Sequence, residues 1–327
     1  MQKVERFRAM LRGHPVDHVP AGFWFHFPPA YHGGQAMAER HISYYRQTDL
    51  DILKVMNDSG YGPVGRFLVR EAADWARLEP TPLEDTPFQN HLEGLKGIVS
   101  ALRGEVPIVT TAFNPFREAV LILMHSDPAA YPSEQSARMG LLRQLRHEPE
   151  PVLAGMQVIA DDLARFYCAC VQKAEVEGVY YSAKGGERRD LTDEEHALWV
   201  RPYDLHVLGE VGSVAEYVVG HFCGKGLNLE RFAGYPVHLA NWAYQSDNPS
   251  LLQGRAILGG MSILGGLDER GPLVYGPREA LQTEIKAALA ELGAQGLMLG
   301  AGCTVPGDVD IANLVYARDY IAELTAE

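Results

Sequence analysis

Apolar positions along the chain fall into short runs separated by longer amphipathic stretches. Eight runs stand out: VPAGFWF at 19–25, DILKVM at 51–56, PIVTTAF at 107–113, GVYYSA at 178–183, YVVGHFC at 217–223, PVHLANW at 236–242, AILGGMS at 256–262 and GLMLGAG at 296–302. Most are rich in β-branched or aromatic residues, and few alternate strictly with polar ones. That is the pattern of parallel strands covered on both faces. Between them the apolar period lengthens. In residues 276–296, Pro277 opens a segment with Ala280, Ile285, Ala288, Leu289 and Leu292 at helical spacing, and Gly293 and Gly296 mark its exit. Residues 310–324 and 150–178 read as helices in the same way. Strands regularly separated by helices predict βαβ units and a parallel sheet. Eight such units predict an α/β fold, a (β/α)8 TIM-type barrel forming a single domain over residues 1–327, with its chemistry at the C-terminal ends of the strands. The stretch from Phe113 to Gly178 exceeds one helix and predicts a helical insertion after strand 3.

Composition narrows the function more than the fold. The 327 residues carry a net charge of −13 and no cluster of Lys and Arg, which argues against a nucleic-acid partner. The N-terminus lacks the apolar core of a signal peptide, and no apolar run approaches the roughly 18 residues of a membrane span. The expectation is a cytoplasmic protein without a membrane partner. Its four cysteines are then expected as free thiols: buried fillers, metal ligands or reactive groups.

Residues 218–226, VVGHFCGKG, sharpen this choice. On a strand, residues two apart face one side. His221 and Cys223 therefore point together near a strand end, where Gly224 and Gly226 let the chain turn away. Cys303, in LMLGAGCTVPGD, also follows a strand and is flanked by glycine. All strands of a barrel end on one face, so His221, Cys223 and Cys303 can converge. One imidazole, two thiolates and an open position make up catalytic zinc ligation. Two ordinary core residues at 221 and 223 are the competing reading, since buried cysteine is common. Cys168 and Cys170 lie in a helical pattern, where they diverge.

Residues 256–321, with AILGGMSILGGLD, YGPREAL, GLMLGAGC and DIANLVYARDYI, resemble the C-terminal third of the uroporphyrinogen decarboxylase superfamily. RFRAMLRGHPVDHVPAGFW at the start and VEGVYYSAKGGERRDLTDEEHALW in the middle are similar to its other parts. The resemblance covers nearly the whole chain and implies a TIM-type barrel. The porphyrinogen decarboxylases carry an arginine-rich motif after the first strand, whereas this chain reads FWFHFPPAYHGG there, with no arginine. Asp58 falls near their catalytic aspartate. The other branch, zinc-dependent methyltransferases working with corrinoid proteins, carries His-x-Cys-Gly at one strand end and a cysteine after the last strand. HFCG and GAGC match both. The resemblance implies His221, Cys223 and Cys303 as zinc ligands, a methyl-corrinoid (cobalamin) donor and a thiol acceptor.

Further candidates follow from strand ends. His26, Asn114, Tyr181 and His238 are candidates for substrate contact or proton transfer. Lys184, Asn241 and Asp268 are candidates for holding the cofactor or bracing it, Lys184 by pairing with an anionic group. Each has a plainer reading as packing or loop structure. The glycines of GGMSILGG do not follow the nucleotide fingerprint GxGxxG, which argues against a dinucleotide there, and a corrinoid is expected to arrive on a partner protein or free in solution. Two alternatives stay open: a metal-free lyase of the decarboxylase kind acting on a tetrapyrrole or small carboxylic acid, and a non-catalytic corrinoid or tetrapyrrole binder. The sequence leaves open the acceptor (coenzyme M, homocysteine, another thiol or tetrahydrofolate), the fourth zinc ligand and the oligomeric state, a homodimer included.

Overall fold

Eight short parallel strands line the centre of the molecule in a computed structural model, which describes residues 1–326. They are β1 Ala21–Gly22, β2 Leu53–Val55, β3 Ile108–Phe113, β4 Gly178–Ala183, β5 Tyr217–Phe222, β6 Leu239–Asn241, β7 Ser262–Leu267 and β8 Leu297–Ala301. Helix α1, Lys3–Leu11, precedes the sheet. Helix α2, Gly34–Thr48, follows β1, and α3, Thr86–Leu102, follows β2. Between β3 and β4 lie three helices, α4 Pro115–Ser126, α5 Glu134–His147 and α6 Pro149–Ala174, which are the insertion expected from the sequence. Then come α7 Asp193–Trp199, α8 Arg201–Gly212, α9 Leu251–Ile257, α10 Pro272–Tyr275, α11 Arg278–Leu292 and the final α12 Ile311–Thr325.

Strands β2 to β8 pair in sequence order, and β8 pairs with β1. The chain is a single-domain (β/α)8 TIM-type barrel. The seam between β1 and β2 has no regular ladder. Asp51 closes it: its backbone N–H donates to the Ala21 carbonyl at 3.0 Å, and its Oδ2 accepts from the Ala21 N–H at 2.9 Å. Arg6 of α1 donates to the other carboxylate oxygen at 2.7 Å, and both side chains are at least nine-tenths buried. Losing one partner of such a pair costs about 3–5 kcal/mol, because the other charge stays buried. The pair ties α1 to the seam.

Two apolar cores result. The larger lies between sheet and helices. The smaller fills the barrel, with Trp24, Val109, Tyr180, Val219, Leu264 and Met298 packed on Phe7 and Met10 of α1. Phe7 meets the ring of Tyr217 edge-on at 5.0 Å, and Ser262 Oγ donates to the Met10 carbonyl. Tyr217 and Ser262 begin their strands. Helix α1 therefore stoppers the N-terminal end of the barrel, and the C-terminal end stays available for chemistry.

One element differs from the sequence expectation. Residues 256–262 were expected as the seventh strand, but residues 251–257 are α9, capped by Ser250 and Gln253, and the strand is 262–267. Gly259 and Gly260, both at positive φ, make the turn between them. The observed strand contains Gly265 and Gly266, which read as loop in sequence. Gly266 has a φ of 111°, and a Cβ there would stand 2.7 Å from Cβ of Ala288 on α11. The glycine is a close helix–strand contact rather than a strand end.

Candidate metal centre and active-site cavity

His221 occupies the inward register of β5, in line with Tyr217 and Val219. Cys223 lies one residue past the strand, and its N–H still donates to the Ala183 carbonyl at 2.9 Å, so the pleat carries on to it. Gly224, at a φ of 148°, then turns the chain away. Cys303 lies two residues past β8. One ligand atom from each of His221, Cys223 and Cys303 lies within 4.8 Å of the other two, and Cys303 Sγ is 3.6 Å from His221 Nε2. The three donors meet at one rim of the barrel.

Asn241, at the end of β6, decides which nitrogen of His221 faces the thiols. Its Nδ2 donates to the carbonyls of Leu264 and Ala301 at 2.8 and 3.0 Å. Two carbonyls on one side fix the amide, so Oδ1 must be the acceptor on the other side. That oxygen takes the Tyr180 hydroxyl at 2.7 Å and His221 Nδ1 at 2.6 Å. His221 is therefore protonated on Nδ1, and its Nε2 lone pair points at Cys303. Tyr180 also stacks on the His221 ring, with centroids 5.4 Å apart. Partners of this kind orient metal ligands, and their loss typically weakens metal binding 10–100-fold. Asn241→Leu is expected to lower zinc affinity by about that factor with the thiols intact. Competition against a chromogenic chelator would read it, and an unchanged affinity would contradict the role.

The two thiols shift each other in opposite directions. The neighbouring thiol of Cys223 draws Cys303 down, and Cys303 together with burial pushes Cys223 up. Cys303 is thus the more readily ionised of the two, and a divalent ion would displace the protons that the pair holds. Facing them is Lys54 of β2, buried against the rings of Trp24 and Tyr180 at 4.8 and 4.2 Å. Its ammonium reaches only the thioether of Met56, at 3.2 Å. Burial lowers Lys54 to about 7, against the opposing pull of Cys303, Asp58 and Cys223. The donor set suits a soft divalent ion: sulfur and imidazole ligands, a tautomer already chosen, and a thiolate poised to form.

Above these groups is a cavity of about 410 Å³, lined by His26, Lys54, Arg117, Lys184, His221 and both thiols among others. His26 Nδ1 is 2.7 Å from Asp58 Oδ1. Burial alone would raise the Asp58 carboxyl, but the hydrogen bond from His26 and the positive charge of nearby groups outweigh it and hold it below its ordinary range. Lys184 lies over the cavity with its ammonium 2.7 Å from Glu134 of α5. Asp268 sits away from the thiols, bracing the loop after β7 by accepting from the Arg270 N–H at 2.8 Å.

Three further candidates lie outside the cavity lining, as Asn241 and Asp268 do. Tyr181 faces away from the barrel and donates to the buried Asp204 of α8 at 2.8 Å; the inward tyrosine is its neighbour Tyr180. Asn114 is wholly buried as the N-cap of α4, its Oδ1 accepting from the Arg117 N–H and its Nδ2 donating to Asp204 and the Lys184 carbonyl. Burial raises Asp204 to about 7, although Tyr181, Asn114 and Tyr235 all donate to it. His238 is exposed at the opposite end of β6, where its Nδ1 accepts from the Val218 N–H at 3.0 Å. A strand end was taken for the rim, but three residues of β6 separate His238 from it. Sequence reading passed over Lys54, Tyr180 and Arg117. Only Lys54 left a signal, a charge inside an apolar run whose strand is covered on both faces.

The comparisons with known proteins agree with this architecture. A methyltransferase from Methanosarcina mazei superposes with a TM-score of 0.75 at 16% identity, over 99% of both chains. A B12-independent methionine synthase from Shewanella sp. W3-18-1 in complex with selenomethionine gives 0.52 at 11% identity, over 94% of this chain and 97% of that one. A putative vitamin-B12-independent methionine synthase from Listeria monocytogenes gives 0.52 at 12% identity, over 89% and 86%. At these identities the likeness is one of fold. No curated protein sequence matches. The family model described as uroporphyrinogen decarboxylase (URO-D) matches residues 53–324, from β2 into α12, and by that match the chain belongs to the uroporphyrinogen decarboxylase family.

Proposed function

We propose that this chain is a zinc-dependent methyltransferase, passing a methyl group from a corrinoid carried by a partner protein to a thiol. The observation that carries the reading is the convergence of His221, Cys223 and Cys303 within 4.8 Å, with His221 Nε2 presented by Asn241. Similarity of fold to the Methanosarcina mazei methyltransferase supports it. These three residues would hold zinc. When bound, the ion would keep an incoming sulfur as a thiolate at neutral pH, and so nucleophilic.

The chain's own groups then have definite tasks. The cavity walls orient the acceptor so that sulfur, methyl carbon and leaving group lie in line. The sulfur–carbon bond forms as the carbon's bond to the donor breaks, and that electron pair leaves with the donor. The thiol's proton needs an acceptor. His26 lines the cavity with Nδ1 held by Asp58, which leaves Nε2 to take it. Lys54 sets a positive charge against the sulfur anions.

His26→Gln is expected to slow transfer about 100-fold near pH 7 and to recover as pH rises past the acceptor thiol's own pKa, where no base is needed. A pH–rate profile decides this, and a uniform loss at every pH would remove His26 from the proton path. The family name and the cationic cavity favour one alternative, a metal-free lyase acting on a carboxylic acid. Two assays on chelator-free protein separate the readings: metal content, and methyl transfer from methylcobalamin to a small thiol. A zinc-free preparation that decarboxylates and never methylates would reject the proposal.

A further inference from the structure

Beside the thiol cavity is a second chamber of about 510 Å³, formed by the loop after β2 and the first turn of α4. Arg117 lines both chambers. Asp58 lines the second and holds His26 in the wall of the first. The second chamber is rich in acceptors. Glu118 is 2% exposed; its Oε1 takes Arg117 at 2.6 Å, and its Oε2 is buried with no donor. Asn57 is 5% exposed, and its Oδ1 is buried with no donor either. Asp58 Oδ2 has only His32 Nε2 near it, at 3.9 Å.

Buried polar atoms in native proteins nearly always have a partner. An ionised carboxylate only accepts, so the missing partner of Glu118 must bring a hydrogen. Arg117, its Cζ 3.7 Å from the Phe113 ring centroid, spends one nitrogen on Glu118, and its other guanidinium N–H groups have no acceptor among the described residues. An anionic group beside the donor would therefore also find a place. The size suits part of a small ligand.

We propose that this second chamber is a binding subsite for the N–H-bearing end of a substrate, an ammonium or primary amide held by Glu118, Asn57 and Asp58, while the reacting end lies at the thiol cavity. The inference rests on the methyltransferase reading for what the reacting end is. Two sources share this chemistry: an amino-acid thiol, whose carboxylate would lie on Arg117, and an amide side chain of the corrinoid.

Calorimetric titration of the purified full chain tests both without methyl transfer. One arm compares L-methionine, the methylated form of an amino-acid thiol, with 4-(methylthio)butanoate, which lacks only the ammonium. The other compares cobinamide, which bears amides, with cobyrinic acid, which bears carboxylates. The N–H-bearing member of one pair is expected to bind at least about tenfold tighter, and Glu118→Gln to reduce that preference to about twofold or less, as expected when an acceptor to a charged donor is lost. Asn57→Leu provides a second variant, and thermal melts confirm that each is folded. No preference in either pair, or a preference indifferent to both substitutions, overturns the subsite. If thiols are methylated without such selectivity, the subsite fails and the methyltransferase reading stands. If the selectivity is present and no thiol is ever methylated, the reverse holds.

Discussion

Cys303→Ala is expected to take zinc from about one per chain to near zero and to abolish methyl transfer. Catalytic zinc sites use three protein ligands, and only His221 and Cys223 would remain. Cys303 is also the thiol that ionises more readily, drawn down by the neighbouring Cys223. Its removal takes away both a ligand and the negative charge that attracts the ion. The loss in rate should reach at least about a thousandfold, equivalent to about 4 kcal/mol in the barrier. The fold should survive, because Cys303 is a small, half-buried residue past the end of β8 and the barrel core lies beneath it. Elemental analysis, a thermal melt and a transfer assay on the same sample give the three readings. Undiminished zinc and activity in the variant would sink the proposed centre.

Lys54→Met should stabilise the metal-free protein while impairing the site. Burial lowers Lys54 from 10.5 to about 7. Between those values the unfolded chain binds a proton that the folded chain refuses, so wild-type stability rises with pH through that window. The cost of burying the lysine is absent above pH 10.5, grows as pH falls toward 7, and is complete below it. Its upper bound is about 4–5 kcal/mol at 1.36 kcal/mol per unit. Contacts of the ammonium with the rings of Trp24 and Tyr180 offset about 0.5–2 kcal/mol of the gain expected from removing it. A net gain on the order of 2 kcal/mol at pH 7, vanishing by pH 10.5, should appear in urea denaturation. Loss of this positive charge should also raise the pH at which the thiol pair first ionises by about one unit, displacing the acid limb of the transfer profile by the same amount. Lower stability at pH 7 with an unmoved acid limb would contradict both parts.

The sequence showed the barrel because its evidence is periodic. Runs of buried strand alternating with amphipathic helix specify βαβ units, and handedness and closure follow from few alternatives. The seventh strand was misplaced because two Gly-Gly pairs lie six residues apart: Gly259 and Gly260 make the turn before the strand, while Gly266 within it serves the close approach of α11. The convergence of His221, Cys223 and Cys303 was legible for a similar reason. His221 and Cys223 differ by two along a strand, and Cys303 follows another strand end; the alternation of a pleat and the shared rim of a barrel do the rest.

What sequence could not supply was the register of each strand and the partners each side chain finds. Tyr180 and Tyr181 are adjacent and chemically identical, yet one touches His221 and the other braces α8. Asn114 and Asn241 both end strands, but one caps a helix and the other sets the tautomer of a ligand. His238 precedes β6 and His26 follows β1, so the two sit at opposite ends of the barrel. Pattern along a chain reports burial and period, which are local and repeated. It determined the barrel and the order of its parts, and it brought one histidine and two cysteines to one rim. Orientation, hydrogen-bond partnership and the unpartnered acceptors of the second chamber are each decided by a single contact between residues far apart in sequence. A contact of that kind leaves no period to read, so only the tertiary structure could decide it.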